Sequence, residues 1–174
     1  RKPKSCAGCH RLEEHKNSLD IVSQRLYYIK ELRSVDGGLY DNVDDFDLHT
    51  VDIRWTNQCN QACVYCGAHN STLWEKELGP AKMMDRESKE KLRSFIFKNI
   101  SKLKNVYLAG GEPTLMNENI EFLELLLMKN PNVNLRVNTN LSNTNTKVAK
   151  LIKEFENVHW TVSVESTDKI YDYI

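Results

Sequence analysis

Strand and helix patterns alternate without a break from residue 50 onward, and this constrains the fold more than any other feature. "TVDIRWT", Thr50–Thr56, alternates apolar and polar residues, with Val51, Ile53 and Trp55 on one side, the pattern of a half-buried strand. A short helix at Ser71–Leu78 and a longer one at Asp85–Ile100 follow, separated by Gly79-Pro80. Asp85 or Ser88 is the expected cap of the second, with Leu92, Phe95, Ile96 and Ile100 as its apolar stripe. Val106–Ala109 reads as a second strand, and Asn117–Lys129 as a helix stopped by Asn130-Pro131. "NVNLRVNTN" reads as a third strand, Thr144–Glu156 as a helix, and "NVHWTVSVES" as a fourth strand. "STDKIYDYI" opens another helix, with Ser166 or Thr167 as its cap.

Strict alternation implies parallel strands joined by helical crossovers. At about 30 residues per unit, the spacing matches that of an eight-unit barrel of roughly 250 residues. Four strands cannot close a barrel, and the chemistry is expected in the loops at their C-terminal ends. Before it, residues 1–35 carry Cys6-x2-Cys9 and a helical pattern of Leu19, Val22, Leu26, Ile29 and Leu32, which "DGG" ends. The domain reading is therefore an N-terminal segment, 1–48, and an incomplete α/β core, 49–174. The chain does not begin with Met and ends at "KIYDYI" in mid-pattern, so it is read as a piece of a longer protein.

Of the five cysteines, three sit in the loop after the first strand, "TNQCNQACVYCGAHN", as Cys59, Cys63 and Cys66. Clustered thiols in a chain without a signal peptide point to metal or redox chemistry in a reducing, cytoplasmic setting rather than to disulfides. A structural zinc ion wants four closed ligands, and His69 would have to be the fourth. A [4Fe–4S] cubane takes one cysteine per iron, so three cysteines leave one iron open to a small molecule. Gln58, Asn60 and Gln61 make the loop polar, which disfavours three cysteines packed merely as small hydrophobes.

Lys+Arg and Asp+Glu number 24 each, so net charge gives no argument for nucleic acid or an anionic membrane. The longest apolar run, "FLELLLM", is far short of the ~20 residues a spanning helix needs.

The motif C-x3-C-x-aromatic-C, here Cys59, Cys63, Tyr65 and Cys66 directly after a first strand, resembles the radical S-adenosylmethionine (radical SAM) superfamily. That resemblance implies a partial (β/α)6, TIM-barrel-like fold. It implies that the three cysteines ligate a [4Fe–4S] cluster, whose open iron is chelated by the amine and carboxylate of S-adenosylmethionine. Reduction would then yield a 5′-deoxyadenosyl radical that abstracts hydrogen from a substrate. "AGGEP" after the second strand is similar to the family's Gly-Gly-Glu motif, which implies that Gly110, Gly111 and Glu112 face the methionine amino group. "NTN" resembles the family's Thr-Asn-Gly, with Leu141 in place of Gly and Asn140 as a polar contact to the cofactor or a cap linking to the next helix. "SVES" resembles Ser-x-Asp-Gly, implying cofactor contacts from Ser163 and Glu165, and Tyr65 resembles the aromatic residue near adenine. Trp74 is read as core packing or a cover for the cysteine loop. Arg54 and Arg136 are inward or surface charges and carry no assignment.

P-x-x-C-x-x-C ahead of the barrel resembles twitch/SPASM-like members. This implies that Cys6 and Cys9 hold part of an auxiliary iron–sulfur cluster; a zinc site with His10 and His15, or a free redox pair, are the alternatives. A flavodoxin or ferredoxin is the implied reductant, and a peptide or small molecule the implied substrate. The competing functions are a zinc-stabilised binding module and a nucleic-acid modifying enzyme on the same scaffold.

Overall fold

The computed structural model describes residues 48–164 and Arg11. The chain divides into two compact units, residues 1–46 and 47–174, and the strands and helices described below all belong to the second. Cys6, Cys9, the helical pattern of residues 19–32, Glu165 and the expected last helix lie outside the described residues.

Four strands form one sheet in sequence order: β1 (Thr50–Ile53), β2 (Asn105–Leu108), β3 (Asn134–Thr139) and β4 (Val158–Val162). All three pairings are parallel. The connections carry the helices α1 (Thr72–Leu78), α2 (Arg86–Lys98), α3 (Glu118–Lys129) and α4 (Lys147–Ile152), as the alternation requires. Short 3-10 turns at Ile100–Lys102 and Pro113–Leu115 complete the described elements.

Period-2 alternation sorts each strand into two faces. Val51, Ile53, Val106, Leu108, Leu135 and Val137 are buried and meet Phe122, Leu123 and Leu126 of α3 and Val148 and Ile152 of α4. Phe122, fully buried, meets the Trp55 ring edge-on at 6.3 Å and the Phe97 ring at 6.0 Å. The opposite face is polar. The pairing registers align Asp52, Tyr107, Arg136 and His159 in one row across the four strands.

Helix starts follow side-chain capping. Ser71 accepts from the Leu73 amide, Asp85 from the Ser88 amide at 2.9 Å and Thr146 from the Ala149 amide at 3.1 Å. Asp85 is therefore the cap of α2, and Ser88 lies inside the helix. Asn130 ends α3 and donates its side-chain amide to the Leu103 carbonyl at 2.6 Å, tying that end to the turn before β2.

Three expectations need correction. β1 stops at Ile53, not Thr56, because its partner β2 turns away at Gly110–Gly111; Trp55 stays buried beyond the strand end. α4 is shorter than Thr144–Glu156, because the Asn143 side chain bonds the Asn145 amide and Thr146 takes the cap. Of the α2 stripe, Leu92 and Phe95 are each 44% exposed; only Ile96 within the helix, and Ile100 just after it, are buried.

Candidate functional site

The loop from Asn57 to Ser71 is fastened by the first turn of α1. The Thr72 hydroxyl bridges both backbone groups of Cys59, accepting from its N–H at 3.4 Å and donating to its carbonyl at 3.1 Å. The Ser71 hydroxyl donates to the Gln61 carbonyl at 2.6 Å, and the Trp74 indole N–H to the Cys63 carbonyl at 2.8 Å. Trp74 thus ties down the cysteine loop and stands outside the core cluster. Asn57, buried, closes the base of the loop by donating to the Ala68 carbonyl at 2.8 Å and to Glu75 at 3.0 Å.

Against this loop lies the turn after β2. The Glu112 amide donates to the Gln58 carbonyl at 2.7 Å. A β-carbon on Gly111 would fall 2.1 Å from that same carbonyl oxygen, so only glycine permits the approach. Gly110 holds φ +114°, a conformation L residues rarely adopt.

Glu112 is 1% exposed and satisfied by four donors. Its Oε1 accepts from the Thr114 amide (3.1 Å), the Thr114 hydroxyl (2.6 Å) and the Thr139 hydroxyl (2.7 Å). Its Oε2 accepts from the Asn140 amide at 2.7 Å. One buried carboxylate thus joins the ends of β2 and β3, and charge-assisted bonds of this kind are the strong ones. A carboxylate offers about four lone-pair sites, so Oε2 retains room for another donor.

Asn140 takes part in a closed ring of side chains. Its Nδ2 donates to Asn60 Oδ1 (3.1 Å), Asn60 Nδ2 donates to Ser142 Oγ (2.8 Å), and Ser142 Oγ donates to Asn140 Oδ1 (2.7 Å). Asn140 Nδ2 also lies 3.9 Å from Cys59 Sγ. Next in the chain, Leu141 has φ +55°, the left-handed conformation glycine would take. Leu141 thus holds a backbone conformation that glycine adopts without strain.

These loops enclose a cleft of about 320 Å³ at the C-terminal ends of the strands, within the roughly 300–1,000 Å³ range of ligand pockets. Cys59, Cys63 and Cys66 line it together with Gly110, Gly111 and Glu112. Tyr65, Asn140 and Ser163 line it too, so every expected site residue within the described region meets in one place. Tyr65 is 60% exposed at its edge, and Ser163 is held by its amide on the Thr139 carbonyl at 2.9 Å. Arg54, Tyr107 and Asn138 also line the cleft, and no motif in the sequence points to them. Arg54 sits on the polar face of the sheet, where Asp52 grips its guanidinium through both oxygens at 2.9 and 3.0 Å and raises its pKa. Arg136, its parity open in the sequence, lies on the same face by register.

All three thiols are free. Burial pushes the Cys59 thiol above its ordinary pKa, and the negative charge of Glu112 adds to the effect. Among the described residues, no three His, Cys, Asp or Glu side chains gather around one point as a single metal ion would require. His69 is exposed and does not line the cleft, so the Cys3His zinc arrangement is not favoured. A cubane attaches each cysteine to a different iron, so three thiols that line one cleft need not meet at a single point to hold it.

The family model described as the Radical SAM superfamily matches residues 53–174. The chain belongs to this superfamily. Radical SAM proteins normally bind a [4Fe–4S] cluster and S-adenosylmethionine, and the membership supports an enzyme. An uncharacterized protein of Methanocaldococcus jannaschii is 27% identical over 110 residues, which cover 60% of this chain and 34% of that protein. The chain thus spans about a third of that relative's length. The four-stranded parallel sheet is consistent with a partial radical SAM barrel. No helix among the described residues is long and apolar enough to cross a membrane.

Proposed function

We propose that this chain forms the cluster-bearing part of a radical SAM enzyme, with Cys59, Cys63 and Cys66 as cluster ligands. One observation carries the reading: the three thiols, the Gly110–Gly111 turn and the β4 end at Ser163 open into the same cleft. A [4Fe–4S] cluster held there would supply the electron that cleaves S-adenosylmethionine to a 5′-deoxyadenosyl radical, which abstracts hydrogen from the substrate.

The chain's own residues bind and orient. Gly110 and Gly111 would let the backbone approach the methionine end closely, and Glu112 would offer its ammonium group the remaining lone-pair site on Oε2. Ser163, and by the family resemblance Glu165, would take the carboxylate and ribose hydroxyls. Tyr65 flanks the adenine at the solvent edge and limits water entry. Asn140, the expected polar contact to the cofactor, already spends its side chain on Asn60 and Ser142, so a cofactor contact from it would be secondary. We assign the substrate to the polar sheet face below the cleft, as a peptide or small molecule.

Residues 1–48 would form an N-terminal segment in which Cys6 and Cys9 contribute to an auxiliary iron–sulfur site, as in twitch/SPASM-like members, ahead of a core at 49–174. A cytoplasmic flavodoxin or ferredoxin would deliver electrons. The test is direct. The full chain, purified without oxygen and reduced in the presence of S-adenosylmethionine, is expected to form 5′-deoxyadenosine, and Cys66→Ala is expected to form none. Absence of product from protein carrying full iron and sulfide would reject the assignment.

A further inference from the structure

We propose that Asn140 is a positioning residue for the cluster: it presents an amide N–H to the Cys59 sulfur and thereby raises the reduction potential of the bound cluster. This rests on the reading of Cys59 as a cluster ligand. An asparagine amide can be turned either way, and only its hydrogen bonds decide which end faces a neighbour. Here the ring decides. Asn140 donates to Asn60, Asn60 donates to Ser142, and Ser142 donates back to Asn140 through its hydroxyl and, at 3.0 Å, its backbone N–H. Turning the Asn140 amide over would set its oxygen against the Asn60 oxygen and leave both Ser142 donors facing an NH2 group. The ring therefore fixes Nδ2 on the side of Cys59.

An amide nitrogen has two hydrogens. One goes to Asn60; the other is left for Cys59 Sγ at 3.9 Å, the long end of contact with a sulfur acceptor. The backbone is equally fixed, since the Asn140 amide is held by Glu112 and Leu141 keeps the turn in its left-handed conformation. A donor aimed at a ligating sulfur stabilises the more electron-rich, reduced state, and hydrogen bonds to the sulfurs are among the known determinants of cluster potential. The other two cysteines lack such a donor among the bonds described: Cys63 Sγ faces Gln61 Oε1 at 3.6 Å and Cys66 Sγ faces the Gly67 carbonyl at 3.9 Å. Asn140 is thus the one side-chain amide N–H directed at a thiol of this loop among the described residues.

The experiment is a reductive titration of the anaerobically reconstituted full chain. Dithionite supplies the electron, and the reduced cluster is followed by electron paramagnetic resonance. Asn140→Asp is the decisive variant, since it keeps the shape and solvent access but replaces the donor with an acceptor carrying charge. The expected order of midpoint potentials is wild type highest, Asn140→Ala lower, and Asn140→Asp lowest, at equal iron content. A purely structural role would move the isosteric Asp variant least. Equal midpoints in all three would overturn the proposal and leave the cluster reading standing. A wild-type chain that assembles no iron–sulfur cluster would overturn both. If the Asn140 variants fail to load, Ser142→Ala keeps Asn140 and opens the ring: a lower potential supports the proposal, and an unchanged one overturns it.

Discussion

Leu141 shows how a single residue can disagree with a motif and still keep its shape. A left-handed conformation costs an L residue about 1–2 kcal/mol, and glycine adopts it freely at an entropy cost of roughly 0.5–1 kcal/mol in the unfolded chain. Leu141→Gly is therefore expected to raise stability by up to about 1 kcal/mol, seen as a higher midpoint in urea with an unchanged slope. Gly111 behaves oppositely. Its alanine variant must push the Gln58 carbonyl aside, and overpacking of that kind typically costs about 1–3 kcal/mol. Gly111→Ala should lower the melting temperature and the iron content together, because Gln58 is next to Cys59. Residue identity made Gly111 and Glu112 legible from the sequence. Their partners were not. Glu112 meets Thr139 and Asn140, and Asn60 meets Ser142, only because parallel pairing brings loops far apart in sequence to one edge. Strand register likewise settles Arg136, and the pair with Asp52 settles Arg54.

At the scale of elements, period and capping carried most of the information. Four strands and their intervening helices followed from apolar spacing, whereas ends were set by bonds that spacing does not encode. α2 illustrates both. Its Asp85 cap carboxyl accepts from the Ser88 amide, which holds its pKa below the ordinary 3.8. A depressed carboxyl stabilises the fold above its unfolded pKa, and that contribution is lost as pH falls through the folded value. Asp85→Ala is therefore expected to melt below wild type at neutral pH. The gap should close as pH is lowered past about 3.8, which calorimetry across pH would check. The apolar stripe of α2 overstated its burial, since Leu92 and Phe95 share the helix period but only the flank near Ile96 reaches the core.

For the molecule as a whole, core and site are built separately. The hydrophobic cluster from Val51 to Phe155 includes no cysteine of the loop, and the loop is fastened by polar bonds to α1 and to the β2 and β3 ends. If the proposed cluster is held by this loop, stripping its iron with a chelator should raise amide exchange in residues 57–71 and leave β2 and β3 protected. Loss of protection across the whole sheet would instead mean that the core depends on the metal. The closed ring of Asn60, Asn140 and Ser142 has a consequence on a different timescale. Each member both gives and receives, so one replacement leaves the other two mismatched. In descent, these three positions are expected to be inherited or exchanged as a set, and a lineage that has lost one should carry compensating changes at the others.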